Sequence, residues 1–122
     1  MLNLDTHILI LALADELHPR ERALLSKDRW GISAIVLWEI AKLHQLGRIE
    51  VDLEDPEVIR ALSTIHVWPL DISICQKLRL LDFRGDPADE LIAATSLAQR
   101  VPLVTRDSII RKSKIVPLAL YY

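Results

Sequence analysis

The sequence predicts an α/β fold of three layers, with a central, mostly parallel sheet flanked by helices. Three observations lead there. Short apolar runs of strand length alternate with longer segments of helical periodicity. Helix-start signals recur, among them Ser33 and the pairs Asp55-Pro56 and Asp86-Pro87. Composition is that of a globular protein, 51% hydrophobic and 26% charged. Strands that alternate with helices build parallel sheets covered on both faces.

In chain order, Leu2–Leu4 reads as a short strand and Thr6–Leu17 as a helix. Pro19 opens a second helix over Arg20–Lys27, because proline at the first helical position has no N–H to lose. Trp30–Ile32 is a short strand. Ser33 is then a good N-cap for a helix over Ala34–Leu46, which Gly47 ends. Asp55-Pro56 starts a helix reaching about Thr64. His66–Leu70 is strand-like and Ile72–Leu81 helical. Asp86-Pro87 opens a helix over Ala88–Arg100, Pro102–Thr105 is a buried strand, and Ile115–Leu120 is a last strand. In such sheets ligands bind beyond the carboxyl ends of the strands, which is where Asp5 and Asp107 fall.

Residues 1–122 read as one domain, long enough to bury a core without disulfide or metal staples. No repeat, low-complexity tract or linker interrupts it. Cys75 is the one cysteine, which excludes an internal disulfide and a Cys-rich zinc site. It is expected to be a small core residue, and the chain fits a reducing, cytoplasmic compartment. The stretch MLNLDTHILILALADE lacks the basic start of a secretory signal. Its apolar run Ile8–Ala14 is far short of the about 20 residues that span a bilayer. Formal net charge is −2 and the isoelectric point about 6.1, so any nucleic acid must be held by a local basic patch.

Four carboxylates stand in unusually apolar company. Asp5 is the first formal charge before Asp15, Glu39 is the one charge in GISAIVLWEIA, Asp89 begins DELIAATSLA, and Asp107 ends VPLVTRD. Helix capping accounts for Asp5, Asp86 and Asp107 without any chemistry. Glu39 lies too deep in its helix to cap, on a face with Ile35, Val36 and Leu43, so it needs a buried cationic partner or a metal ion. Were the four to converge, each close pair would repel by about 4 kcal/mol at an effective dielectric near 20. A fold retains such a cluster for a cation. All-oxygen ligands select Mg²⁺ or Mn²⁺ over zinc, and such an ion suits phosphodiester hydrolysis.

The segments LNLDTHIL, ISAIVLWEIAKLHQLGRIEV, DPADELIAATSLA and VPLVTRD, in this order, resemble PIN domains, and the VapC-type toxin ribonucleases most of all. The resemblance spans nearly the whole chain. It implies a PIN-like parallel sheet flanked by helices and a Mg²⁺- or Mn²⁺-dependent endoribonuclease. It also implies a homodimer silenced by a small VapB-like antitoxin protein. Position by position, Asp5, Glu39, Asp89 and Asp107 match the family's metal-holding acids. Thr105 matches its orienting hydroxyl, Asp86 a neighbouring acid that serves chiefly as an N-cap, and Thr6 and Ser33 match small polar positions. Two departures stand out: Glu90 occupies a position where relatives often carry Arg, and Arg84-Gly85 replaces a His-Arg pair. Arg84, Arg106, Arg111, Lys112 and Lys114 are candidate replacements for the lost cation. His7 near a helix start and the three tryptophans Trp30, Trp38 and Trp68 have ordinary structural accounts.

Other acid-pocket enzymes fit less well. A haloacid-dehalogenase-like phosphatase needs a second Asp two residues after the first, where this chain has His7. A receiver domain needs paired acids there and a late lysine. A PIN-like domain that only binds a protein partner would be expected to lack one of the four acids. A PIN nuclease of RNA maturation or turnover is the alternative that shares all of them.

Overall fold

A computed structural model of the chain describes residues 1–120. Its sheet holds β1 (Leu2–Leu4), β2 (Trp30–Ser33), β3 (His66–Trp68) and β4 (Leu103–Val104), in the order β3-β2-β1-β4 with every pair parallel. Helices α1 (Thr6–Leu13) and α2 (Pro19–Leu25) connect β1 to β2, and α3 (Ala34–Gln45) and α4 (Pro56–Leu62) connect β2 to β3. The return from β3 to β4 runs through α5 (Ile72–Gln76), a 3₁₀ turn (Lys77–Leu80) and α6 (Pro87–Gln99); α7 (Ser108–Arg111) follows β4. With right-handed crossovers, this order lays helices on both faces and reverses direction between β1 and β4. That reversal is the switch point at which α/β sheets bind ligands. No helix among the described residues is long and apolar enough to cross a membrane.

Most elements fall where their local chemistry puts them. Ser33 caps α3 by accepting from Ile35 N, and Gly47 follows that helix with φ +72°, the left-handed geometry glycine adopts without strain. Asp55 and Asp71 cap α4 and α5 through their side chains. One continuous core joins Leu2, Leu4, Ile8 and Leu9 to Ile32, Val36, Ile40, Ile92, Leu103 and Val104.

Four expectations need correction. The first helix ends at Leu13, not Leu17, because Asp15 adopts φ +56° and Glu16 N turns back to Leu11 O. The helix expected over Ile72–Leu81 tightens into a 3₁₀ turn after Gln76. Ile115–Leu120 forms only a parallel bridge of Leu118 with Leu103. Pro117 accepts from Leu103 N but has no N–H to return, so the ladder stops there. Cys75, expected in the core, is exposed.

Glycine is obligatory at Gly31 for a different reason. It lies on β2 opposite His66 of β3, and the Trp68 ring covers it so closely that a Cβ would overlap Cη2 and Cζ3. Trp68 is accordingly buried, and Trp30 is half-buried with its indole N–H on Leu25 O at 2.8 Å. Trp38 is 58% exposed, so it belongs to a surface and not to the core.

Candidate functional site

The site is built where β1 and β4 end side by side. Asp5 is the residue after β1 and the N-cap of α1, with its amide on Val104 O at 3.0 Å. It is almost wholly buried, at 4% exposure. One carboxylate oxygen accepts from Thr6 N at 2.7 Å and the other from the Thr105 hydroxyl at 2.6 Å. Burial pushes its carboxyl above the usual range, although both hydrogen bonds pull the other way and Asp107 adds to the rise.

Asp107 is the N-cap of α7. Its Oδ1 accepts from Ile109 N at 2.8 Å and Ile110 N at 3.0 Å, so both capping bonds use a single oxygen. Its own amide donates to the Thr105 hydroxyl at 3.0 Å. Thr105 therefore ties the two acids together, donating to one and accepting from the backbone of the other.

Glu39 comes from the middle of α3. Its carboxylate takes a very short hydrogen bond from the Thr6 hydroxyl, and Val36 and Ile40 on either side are fully buried. Burial raises its carboxyl, and the charges of Asp5 and Asp86 raise it further. The charge of His7 pulls the other way, and among the described residues no Lys or Arg forms an ion pair with Glu39.

Asp89 stands in the first turn of α6 and feels every other acid. Burial comes first, then Asp5, Glu39, Asp107 and Asp86, and together they push its carboxyl up to about 6. Asp86 holds the N-cap position of α6 but its side chain makes no capping bond, contrary to the cap role expected of it.

These acids thus share one electrostatic field without forming a ready-made cage. Among the described residues, no three acidic, His or Cys side chains are grouped closely enough to hold a metal ion. The hydroxyls of Thr105 and Thr6 donate to Asp5 and Glu39, and Asp107 caps α7. The donor set is nonetheless all oxygen, and the raised carboxyls mark a concentration of negative charge that a hard divalent cation would relieve.

Beside the acids lies a cleft of ≈ 380 Å³ lined by Asp5, His7, Ile10, Leu11, Arg106 and Asp107. Arg106 does not stand there as an uncompensated cation. Its Nε and Nη2 donate to the two oxygens of Glu21 at 2.7 and 2.6 Å, and Glu21 is 1% exposed. Glu21 also accepts from His18 N at 2.9 Å, so this pair fastens the start of α2 to the turn that carries Asp107. Glu90 has a local role as well, since its carboxylate accepts from Gly85 N at 3.0 Å and folds the Arg84-Gly85 loop back onto α6. Arg84, Lys112 and Lys114 are exposed.

Two residues of this region escape a reading of the sequence. Glu21 looks like one more helical surface acid, and only its reach to Arg106, 85 positions away, shows otherwise. Asn3 is fully buried in β1, with its Nδ2 on Ile92 O and Ser96 Oγ of α6 and its Oδ1 lacking any partner among the described residues. A buried acceptor of that kind costs about 1–3 kcal/mol. The one sequence signal was an amide set between Leu2 and Leu4 in a buried strand.

Comparison with known proteins places this architecture. No curated protein matches the chain significantly. Among solved structures, it resembles a chain of a toxin–antitoxin complex from Klebsiella pneumoniae, with a TM-score of 0.74 at 20% identity, over 100% of this chain and 98% of that one. A chain of VapBC2 from Rickettsia felis, solved bound to a DNA fragment from its promoter, gives 0.72 at 20% identity, with 98% of each chain covered. A chain of FitAcB from Neisseria gonorrhoeae gives 0.68 at 20% identity, over 98% of this chain and 97% of that one. At such identities the likeness speaks for the fold alone. The PIN domain family model matches residues 3–115, nearly the whole sequence, and the chain therefore belongs to the PIN domain family.

Proposed function

We propose that residues 1–122 form one nuclease domain, a Mg²⁺- or Mn²⁺-dependent endoribonuclease that serves as the toxin of a VapBC-like toxin–antitoxin pair. The observation that carries this reading is the shared field at the end of the sheet. Burial first, and then the charges of neighbouring acids, raise the carboxyls of Asp5, Glu39 and Asp89 there, where β1, α3 and α6 bring them together beside Asp107.

In this reading Asp5, Glu39, Asp89 and Asp107 hold the cation, with Asp86 at its margin. A bound Mg²⁺ or Mn²⁺ supplies Lewis-acid stabilisation of a phosphodiester and activates water for its hydrolysis. Thr105 orients Asp5, and Thr6 orients Glu39. The Arg106–Glu21 pair fixes the turn that presents Asp107. By analogy with the family, single-stranded or loop RNA is the substrate, cut to leave a 5′-phosphate and a 3′-hydroxyl. An antitoxin would silence the enzyme by covering this end of the sheet. The solved toxin–antitoxin relatives support this partner, and a homodimer accords with the family resemblance.

Incubation with total RNA, with and without EDTA and beside Asp5→Asn, tests the assignment. Cleavage is expected with metal and lost in both controls. Undiminished cleavage in EDTA or in Asp5→Asn would rule the mechanism out. Expression without a partner is expected to arrest growth, and harmless overexpression of an active nuclease would remove the toxin role alone.

A further inference from the structure

We propose that Asn3 is a positioning residue of the acidic site: its carboxamide fixes α6 against β1 and so sets where Asp89 stands relative to Asp5. This rests on the reading above, that these acids hold a divalent cation together.

Side chains alternate along a strand, so Asn3 and Asp5 point to the same face of β1. That face meets α6. Asn3 Nδ2 donates to Ile92 O at 3.1 Å and to Ser96 Oγ at 2.9 Å. A main-chain carbonyl only accepts, so the amide nitrogen, not the oxygen, must face Ile92, and the orientation of the carboxamide is fixed by chemistry. Ile92 and Ser96 lie three and seven residues beyond Asp89, which places all three on one side of the helix. One short bridge thus spans from the strand that Asp5 follows to the helix that carries Asp89 in its first turn.

Beside the core residue Ile92, the buried stretch of α6 carries the small Ala93, Ala94 and Ser96, which give a neighbouring surface few atoms to interlock with. Directional hydrogen bonds do not tolerate sliding in the same way. Stability does not account for an asparagine here either. Its Oδ1 is buried without a partner among the described residues, and leucine, of similar size, would occupy the position without that loss. What the amide adds is geometry. Groups hydrogen-bonded directly to metal-holding side chains change metal affinity about 10–100-fold when removed, and Asn3, which acts one step further back through α6, is expected at the low end of that range.

The test is Mn²⁺ binding to the full chain by titration calorimetry, with melting curves recorded alongside. The parent is expected to bind, and Asn3→Leu to fold with an unchanged or higher melting temperature while its Mn²⁺ dissociation constant rises about tenfold. Ser96→Ala removes one acceptor from the helix side and should weaken Mn²⁺ in the same direction by less. The double variant should bind no more weakly than Asn3→Leu alone, because both act through one contact. Ile65→Val, buried just before β3 and separated from β1 by β2, should lower the melting temperature and leave Mn²⁺ affinity where it was. A folded Asn3→Leu with the parent's affinity overturns the proposal. If Asn3→Leu does not fold, parental affinity in Ser96→Ala overturns it instead. A parent that takes up no Mn²⁺ overturns the acid-site reading itself, and the role of Asn3 with it.

Discussion

The Thr105 hydroxyl donates to Asp5 Oδ2 across 2.6 Å, joining residues a hundred positions apart at the ends of two adjacent parallel strands. The same oxygen accepts from Asp107 N, so one hydroxyl sets the spacing between two acids. Thr105→Val keeps the shape and deletes both bonds. It should cost about 1–2 kcal/mol of stability, since the buried Asp5 carboxylate loses a donor and Asp107 N an acceptor. RNA cleavage should fall at least tenfold. Thr105→Ser should recover most of both. A Thr105→Val protein with parental melting and cleavage would show the hydroxyl to be incidental.

The Glu21–Arg106 pair makes a prediction about acid. The Arg106 guanidinium holds the Glu21 carboxyl below its usual range, against a smaller opposing effect of burial. A depressed carboxyl contributes stability that is present above its unfolded value near 4.5 and lost as pH falls through the folded value. Arg106→Leu leaves Glu21 buried without its cation and should destabilise the protein at pH 7 by about 2 kcal/mol, less than for a fully buried pair because Arg106 is a third exposed. Below pH 4 the difference from the parent should shrink, as Glu21 protonates. Melting curves at pH 7 and pH 3.5 measure it, and an equal deficit at both would contradict the ion-pair account.

Much of this fold is legible in the sequence because its signals are local. Ser33 with Gly47 and Asp55-Pro56 carry their cap chemistry within a few residues, Pro87 marks the start of α6 although Asp86 makes no capping bond, and the elements they bound lie where expected. The ends that resist reading are those fixed by distant or exceptional geometry. Asp15 turns left-handed with no glycine to announce it, and the segment after Ile115 fails as a strand because of Pro117. The acids follow the same division. Asp5 and Asp107 are visible as strand-end residues, and Glu39 as a charge on an apolar face. The pairings that orient them, Thr105 to Asp5, Thr6 to Glu39 and Arg106 to Glu21, are all long-range and leave no periodic trace.

Gly31 tests how tightly β2 and β3 are fitted. The Trp68 ring fills the space a side chain would need, and it meets that space with its rigid six-membered edge. Gly31→Ala should therefore destabilise by about 1–3 kcal/mol, the usual cost of overpacking. Combining it with Trp68→Leu should relieve the clash, so the double variant should lose less than the two single losses added together. Additive losses in chemical denaturation would mean that the two residues do not meet as described.

The last prediction concerns the acids themselves and their sign with pH. Asp89 is raised to about 6 by burial and by its neighbours' charge. A carboxyl raised on folding contributes stability that is fully present below its unfolded value near 4 and lost as pH rises through about 6. The metal-free protein should lose stability between pH 4 and pH 7 from this group, on the order of 1 kcal/mol once solvent screening is allowed for. This slope runs opposite to that of Glu21, which acts below pH 4, so the two separate in one pH series. Asp89→Asn should flatten the upper slope, melt higher than the parent at pH 7 without metal, and abolish cleavage. Mg²⁺ or Mn²⁺ should raise the parent's melting temperature, more at pH 7 than at pH 5 because protons compete for the same oxygens, and do much less for Asp89→Asn. Asp86→Asn removes one charge at the margin of the cluster. With no capping bond to lose, it should stabilise the metal-free protein slightly and keep most of the activity. Asp89→Asn less stable than the parent at pH 7, with no metal response in either, would mean that these acids do not share a site.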